Sequence, residues 1–232
     1  RALAEAGVPA GALVVVASEH GAGVVAAFFG ALYHGAVPAL FPYFSERAPS
    51  HVYEGRVQRL IEQADARAVV TAPGLAASLA ERLDGTGCPV VALPEAGDGA
   101  ESASFEISER SGEDAAYVQF SSGTTGLPKG VTLSHRAALD NLRALEHGIP
   151  IRADDTVVTW VPLYHDLGLV ACLLAPLYAG GRSVLLSGPQ WVRRPASLAQ
   201  AISDYGGTVS FMPNFGFAHL ARRTRPADFE GV

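Results

Sequence analysis

The sequence alternates short apolar runs rich in β-branched residues with longer helix-forming segments. GALVVVAS (11–18) is followed by AGVVAAFFGALYHG (22–35), which is apolar almost all round and ends at a glycine, and then by AVPALFP (36–42). A buried strand, an interior helix and a second strand at this spacing indicate parallel β-sheet covered by helices on both faces. The sequence therefore predicts an α/β fold.

The same alternation continues along the chain. The proline of the second run predicts either that this strand lies at an edge of the sheet or that the proline lies at a strand terminus. Residues 94–112, rich in Gly, Ser, Glu and Ala, are linker-like and separate a first α/β subdomain at 1–93 from a second at 113–232, without requiring two independent domains. Further helices are predicted at 53–66, 75–83, 134–145, 168–179 and 197–205, and further strands at 66–72, 89–93, 115–121, 155–162, 183–187 and 208–213.

Composition excludes several classes of protein. With 232 residues, 49% hydrophobic and 17% charged, the chain has enough apolar material for a substantial core. A net charge of −6 gives no basic field that would favour nucleic acid. Cys88 and Cys172 are far apart and lack metal-ligand spacing, so we expect two buried thiols in a reducing, cytoplasmic compartment. We expect no membrane span and, because the chain starts at Arg1, a piece of a longer protein.

Residues 119–135, QFSSGTTGLPKGVTLSH, concentrate glycines, hydroxyls and the one lysine of the chain between a predicted strand and a helix capped by Ser134. Glycines let the backbone curl around a ligand, and consecutive N–H groups form a nest for an anion. A compact ammonium suits terminal phosphates. The loop therefore predicts polyphosphate binding, although Lys129 lies between Pro128 and Gly130 and the loop is not a Walker A motif.

SSGTTGLPKG (121–130) resembles the phosphate-binding signature of the acyl-adenylate-forming superfamily over all ten positions. WVPLYHDLGLV (160–170), PLYAGGRSVLLS (176–187) and FMPNFGFAHL (211–220) resemble later segments of the same family in the expected order. The wording of WVPLYHDLGLV and of PNFGFAHL is closer to fatty acyl-AMP ligases and polyketide-associated ligases than to luciferases. The resemblance implies that the chain is part of the large N-terminal domain of such an enzyme.

The resemblance also implies an activity. A fatty or polyketide-type carboxylic acid would react with ATP to give an acyl-adenylate, and the acyl group would then pass to coenzyme A or to the phosphopantetheine thiol of an acyl carrier protein. Mg²⁺ would be held by a glutamate outside this sequence. The groups that bind the adenine and the ribose would also lie outside it, so the fragment alone is expected to be inactive. The residues implied to hold ATP phosphates are Ser121, Ser122, Gly123, Thr124, Thr125, Gly126 and Lys129.

The carboxylic acid is assigned to two further motifs by the same resemblance. His165 would lie beside the carboxylate and the adenylate; the alternative is a partly buried histidine satisfied by Asp166. Asn214 would hydrogen-bond near the carboxylate, and Gly168 and Gly216 would leave room for an acyl chain. Ordinary core aromatics in a turn are the alternative for the second motif. The full set of implied substrate residues is His165, Gly168, Met212, Pro213, Asn214, Phe215 and Gly216.

Two alternative functions remain open from the sequence. A protein that only transfers a preformed acyl-adenylate would not need to grip pyrophosphate, which the complete loop argues against. HGAGVVAA (20–27) fits a loose dinucleotide-binding pattern of a Rossmann-type, NAD-dependent oxidoreductase. That pattern is short, and no acidic residue ends the following strand to hold a ribose.

Overall fold

The computed structural model describes residues 1–44, 49–93, 107–121 and 129–229. It divides the chain into two compact units, Arg1–Ala138 and Leu139–Val232. None of the helices within the described ranges is both long and apolar enough to cross a membrane.

Unit 1 is built on a six-stranded sheet whose strands follow the order β4-β3-β1-β2-β5-β6. Strands β1 to β5 run parallel to one another, and β6 is antiparallel to β5. The elements of this unit are α1 (Ala2–Glu5), β1 (Leu13–Ala17), α2 (Ala22–His34), β2 (Val37–Leu40), α3 (Ser50–Ala64), β3 (Ala68–Thr71), α4 (Pro73–Arg82), β4 (Val90–Ala92), β5 (Ala115–Ser121) and β6 (Lys129–Ser134).

The central strand of unit 1 is buried on both faces, as the β-branched run predicts. Val14, Val15 and Val16 are at most 1% exposed. Helix α3 packs Val57 and Leu60 into the core cluster that also contains Val15. Spacings of three and four residues place such side chains on one face of a helix, so the amphipathic pattern is confirmed.

Of the two positions predicted for Pro38, the edge strand is wrong, because β2 lies between β1 and β5, whereas the strand terminus agrees with its place as the second residue of β2. The N–H groups of Val37 and Phe41 donate to carbonyls of Ala12 and Val16, on the β1 side. Alternation along a strand turns the nitrogen of Pro38 to the opposite side, where pairing with β5 begins only at Ala39. The N–H group that Pro38 lacks would therefore lie just outside the hydrogen-bonded pairing of β2 with β5.

The prediction that residues 119–135 run from a strand directly into a helix is also incomplete. Residues 129–134 form β6, which pairs with β5 as a hairpin before α5 (His135–Gly148) begins. The signal was the alternation in KGVTLS, which the glycines of the loop obscured. The sheet is therefore mixed at this edge rather than wholly parallel.

Unit 2 contains a two-stranded parallel sheet, β7 with β8. The strand predicted at 208–213 is reduced to a single bridge between Val209 and Val157. The helix predicted at 168–179 is present, as a π-helix at Leu167–Leu174 followed by a short α-helix. After α5, the elements are β7 (Thr156–Thr159), the π-helix, α6 (Ala175–Tyr178), β8 (Arg182–Leu185), α7 (Gly188–Arg193), α8 (Ser197–Tyr205), α9 (Asn214–Arg223) and a 3₁₀ turn (Pro226–Phe229).

The two compact units do not divide where the linker-like stretch predicts a boundary. Strands β5 and β6 follow that stretch in sequence, yet β5 pairs with β2 and completes the first sheet. The division falls at Ala138 and Leu139 instead, within α5. Backbone hydrogen bonding across a sheet joins distant segments regardless of the composition between them. Residues 94–106 of the predicted linker lie outside the described residues.

Candidate active site

The β5–β6 hairpin holds both ends of the predicted phosphate loop. Ser121, the last residue of β5, pairs with Lys129, the first residue of β6. Because β5 is parallel to β2, Ser121 lies at the carboxyl end of the parallel strands, which is the edge where ligands of open α/β sheets bind. The Lys129 side chain is exposed. The predicted residues Ser122, Gly123, Thr124, Thr125 and Gly126 lie outside the described residues.

The base of the same hairpin is anchored to the segment that precedes β5. The hydroxyl of Ser134 accepts the Ala137 N–H at 3.2 Å, which confirms Ser134 as the cap of α5. The N–H of His135 donates to the Asp114 carbonyl (3.1 Å), and the N–H of Arg136 donates to the Gly112 carbonyl (2.8 Å). These bonds tie the chain entering the hairpin to the chain leaving it.

The predicted carboxylate-binding motif follows β7. The His165 imidazole is exposed and lies against the Tyr164 ring, with 4.9 Å between ring centroids. The Asp166 carboxylate accepts the Leu167 N–H at 2.7 Å and caps the π-helix. The alternative of a partly buried histidine is therefore wrong, because the His165 ring faces solvent. π-helical turns are rare and frequently occur at functional sites.

Gly168 has a packing role in this motif. A Cβ built on it would lie 2.2 Å from the Pro162 carbonyl oxygen and 2.9 Å from that of Val161. The chain leaving β7 therefore passes directly against the π-helix, and only glycine fits. The space next to Gly168 is filled by backbone, so the prediction that it leaves room for an acyl chain is wrong at this position.

The second predicted substrate motif does not end a strand, since Pro213 precedes α9 and Asn214 begins it. Phe215 is 64% exposed, so it is not a core aromatic, and its ring meets the Trp160 ring edge-on at 5.8 Å. A Cβ on Gly216 would lie 2.9 Å from Trp160 and 3.0 Å from the Met212 sulfur. The structure therefore groups Met212, Phe215 and Gly216 around one indole ring. The space next to Gly216 is filled by Trp160 and Met212, so the prediction that it leaves room for an acyl chain is wrong.

That indole ring is held by a partner that the sequence analysis missed. Trp191, on α7, stacks on Trp160 with 3.7 Å between ring centroids and 3° between ring planes. Trp191 is 1% exposed and Trp160 is 5% exposed. A dipeptide Gly-Pro at the start of α7 was the available signal for a helix here. The stack gives the 212–216 segment a rigid apolar support.

The two cysteines are buried, as predicted, and neither is part of a disulfide. Burial raises the pKa of Cys88 to about 11, against a smaller lowering by Arg67. Burial also raises the pKa of Cys172 to about 11, against a smaller lowering by a hydrogen bond with Thr159. A thiol that stays protonated at neutral pH is a poor nucleophile. Neither cysteine is a candidate for acyl transfer.

Comparison with known proteins gives one consistent result. The family described as AMP-binding enzyme matches residues 1–231. The chain is 33% identical over 228 residues to the long-chain-fatty-acid–AMP ligase FadD26 of Mycobacterium bovis, covering 94% of this chain and 38% of that protein. It is 32% identical over 231 residues to a putative acyl-CoA synthetase of Caulobacter vibrioides, covering 99% of this chain and 40% of that protein.

A solved structure agrees with these relatives. The fatty acyl-adenylate ligase of Legionella pneumophila, in complex with acyl adenylate and pyrophosphate, superposes with a TM-score of 0.85 at 26% identity, covering 99% of this chain and 39% of that one. The present chain thus spans about 40% of the length of the proteins it matches. The alternative of a Rossmann-type oxidoreductase is wrong, because the matching family is that of AMP-binding enzymes. The chain belongs to the AMP-binding enzyme family, whose members include fatty-acid–CoA and fatty-acid–AMP ligases.

Proposed function

We propose that the full-length protein activates a fatty or polyketide-type carboxylic acid with ATP and then transfers the acyl group to a thiol. The observation that carries this proposal is the β5–β6 pairing of Ser121 with Lys129, the first and ninth residues of the SSGTTGLPKG motif. The resemblance of that loop and the family membership of the chain support the same reaction. The class of carboxylic acid and the nature of the acceptor thiol go beyond the family membership and are proposed with the reaction.

In the proposed first step, a carboxylate oxygen attacks the α-phosphorus of ATP, and the bond to pyrophosphate breaks. Both reactants are anions, so the protein must hold them together and neutralise charge as it develops. The loop N–H groups and the hydroxyls of Thr124 and Thr125 would hold the β- and γ-phosphates. The Lys129 ammonium, at the start of β6, would neutralise the departing pyrophosphate.

The carboxylic acid would bind beside His165. This imidazole is exposed at the N-terminal end of the π-helix, where it can donate a hydrogen bond to a carboxylate or phosphate oxygen. Asn214 at the start of α9 is a second donor, and Met212, Phe215 and Gly216 around Trp160 would wall the acyl chain. Pro213 fixes the entry into this helix.

The cofactors follow from the same resemblance. Mg²⁺ would be bound by residues outside these 232, where it would neutralise the triphosphate. The acceptor would be coenzyme A or the phosphopantetheine of an acyl carrier protein. Among the described residues, Lys129 at the start of β6 would supply a positive charge to the anionic part of ATP.

Replacement of the lysine tests the proposal. We expect Lys129→Ala in the full-length protein to lower ATP–pyrophosphate exchange by about 10- to 100-fold, the scale for one charged transition-state contact. Lys129→Arg keeps the charge but changes its shape, and we expect a smaller loss. Exchange is measured with a panel of carboxylic acids of increasing chain length.

The matched control is Thr132→Ala, an exposed residue of the same strand three positions further on, which should leave exchange unchanged. Full exchange activity in Lys129→Ala would refute the assigned role of the lysine. The transfer-only alternative predicts a different result. In that case the wild-type protein exchanges pyrophosphate with no acid, yet still transfers the acyl group of a supplied acyl-adenylate.

A further inference from the structure

Two helices of unit 2 end in pairs of exposed arginines. Helix α7 ends at Arg193 and is followed by Arg194, and α9 carries two arginines in its last turn. All four side chains are exposed. We call this group the arginine face: Arg193, Arg194, Arg222 and Arg223.

The two helix ends are neighbours in space. The Nε2 of His219 donates to the Val192 carbonyl at 3.0 Å, and the His219 ring lies 5.2 Å from the Trp191 ring. Arg222 and Arg223 follow His219 by three and four residues, which is one helical turn. Since Val192 directly precedes Arg193, the four arginines flank one contact between α7 and α9.

The charge of this region opposes that of the whole chain. Residues 188–227 contain five arginines and one carboxylate, Asp204, in a chain whose net charge is −6. Asp204 accepts a hydrogen bond from Gln200 (2.7 Å), and Asp228 accepts the backbone N–H of Arg225 (2.7 Å). Within the described part of the chain, no ion pair involves the arginine face. The four side chains are exposed to solvent, where an external anion can reach them.

Exposed apolar side chains lie on the same two helices. Phe217 on α9 is 55% exposed and Val192 on α7 is 39% exposed. Arginine together with aromatic residues is the composition of protein docking surfaces, whereas small-molecule sites are concave and mostly apolar. The arginines stand on exposed helix ends, so this composition favours a protein partner over a free nucleotide.

Helix stabilisation does not account for the arginines as a group. One cation in a last turn contributes about 0.3–1 kcal/mol through the helix dipole. Helix α4 has one such cation, Arg82, in its last turn. Four like charges at two adjacent helix ends repel one another, and this repulsion offsets the gain.

We propose that the arginine face docks the acidic surface of the carrier protein whose phosphopantetheine thiol receives the acyl group. This inference rests on the proposed function, because it assigns a surface to the acceptor of that reaction. Opposite charges at such a surface raise the association rate and select the partner, and the effect weakens as salt rises. The arginines act on docking and do not touch the reacting atoms.

The test compares three acceptors in the full-length protein: a phosphopantetheinylated carrier protein of net negative charge, coenzyme A, and free pantetheine. The Arg222→Glu/Arg223→Glu variant should raise the KM for the carrier about tenfold and weaken the dependence of that KM on salt. The kcat, pyrophosphate exchange and transfer to both small thiols should not change. Arg222→Lys/Arg223→Lys, which keeps the charge, should restore most of the carrier KM. Arg82→Glu is the matched control for a helix-end arginine outside the face.

Several outcomes would overturn the proposal. An unchanged carrier KM would remove the docking role, and an equal rise for coenzyme A would assign the arginines to nucleotide phosphates. Binding of the wild-type protein to the carrier can be measured by fluorescence anisotropy at increasing salt concentration. This measurement does not depend on the adenylation or transfer reaction. Salt-sensitive binding without pyrophosphate exchange would support the docking surface while refuting the proposed function. Pyrophosphate exchange without any binding to the carrier would support the proposed function and refute the docking surface.

Discussion

His20 shows how one buried side chain links the fold of unit 1 to pH. Its two ring nitrogens are buried and have no hydrogen-bond partner among the described residues. Desolvation therefore disfavours the imidazolium and lowers the pKa of His20 from 6.5 to about 4. The folded chain keeps this ring neutral at a pH where the unfolded chain already binds a proton.

The consequence is a loss of stability in acid. The contribution of neutral His20 is fully present above pH 6.5 and is lost as the pH falls towards 4, by about 3 kcal/mol over the window. We expect His20→Leu to flatten the dependence of the urea midpoint on pH between 7.5 and 5, followed by far-UV circular dichroism. His51→Gln, at an exposed histidine, should leave that dependence as in the wild type. Equal slopes for wild type and His20→Leu would contradict the assignment.

The π-helix after β7 shows how an element depends on one close approach. Its turn packs on the Pro162 carbonyl, 2.2 Å from where a Cβ on Gly168 would stand. Backbone atoms cannot move aside as a flexible side chain can. The close approach of Gly168 to Pro162 therefore fixes the position of the π-helix and of the exposed His165 that precedes it.

We expect Gly168→Ala to destabilise the protein by about 1–3 kcal/mol, as overpacking does, and to lower exchange activity by displacing His165. Gly30→Ala is the matched control. Gly30 lies in α2, where a Cβ added to it would meet no atom within 4 Å, so the same substitution should stabilise by up to about 1 kcal/mol. Urea midpoints of both variants measure the difference. A Gly168→Ala protein as stable as Gly30→Ala would show that the contact relaxes without cost.

At the scale of the molecule, the chain covers about 40% of the length of its relatives. We expect residues 1–232 alone to fold, with circular dichroism showing helix and strand, but to show no pyrophosphate exchange with any acid. The reason is that the Mg²⁺ and ribose ligands implied by the resemblance lie outside them. The full-length protein is the positive control. Exchange by the shorter chain at a comparable rate would mean that these ligands are present within it.

The sequence alone determined the kinds of elements and the family. Val14, Val15 and Val16 form a run that only a doubly covered strand can bury, and the spacing in α3 marks its buried face. Residues 121–130 predicted phosphate binding through their glycines, hydroxyls and lysine, and their resemblance to the acyl-adenylate-forming superfamily predicted the family.

Only the tertiary structure decided which elements meet. The interior place of β2, the pairing of β6 with β5, the filled space at Gly168 and the stack of Trp160 on Trp191 all join segments that are separated in sequence. The arginine face exists for the same reason, since α7 and α9 are neighbours. Hydrophobic periodicity records that a face is buried but not what buries it, and the partner is selected by long-range packing and hydrogen bonding.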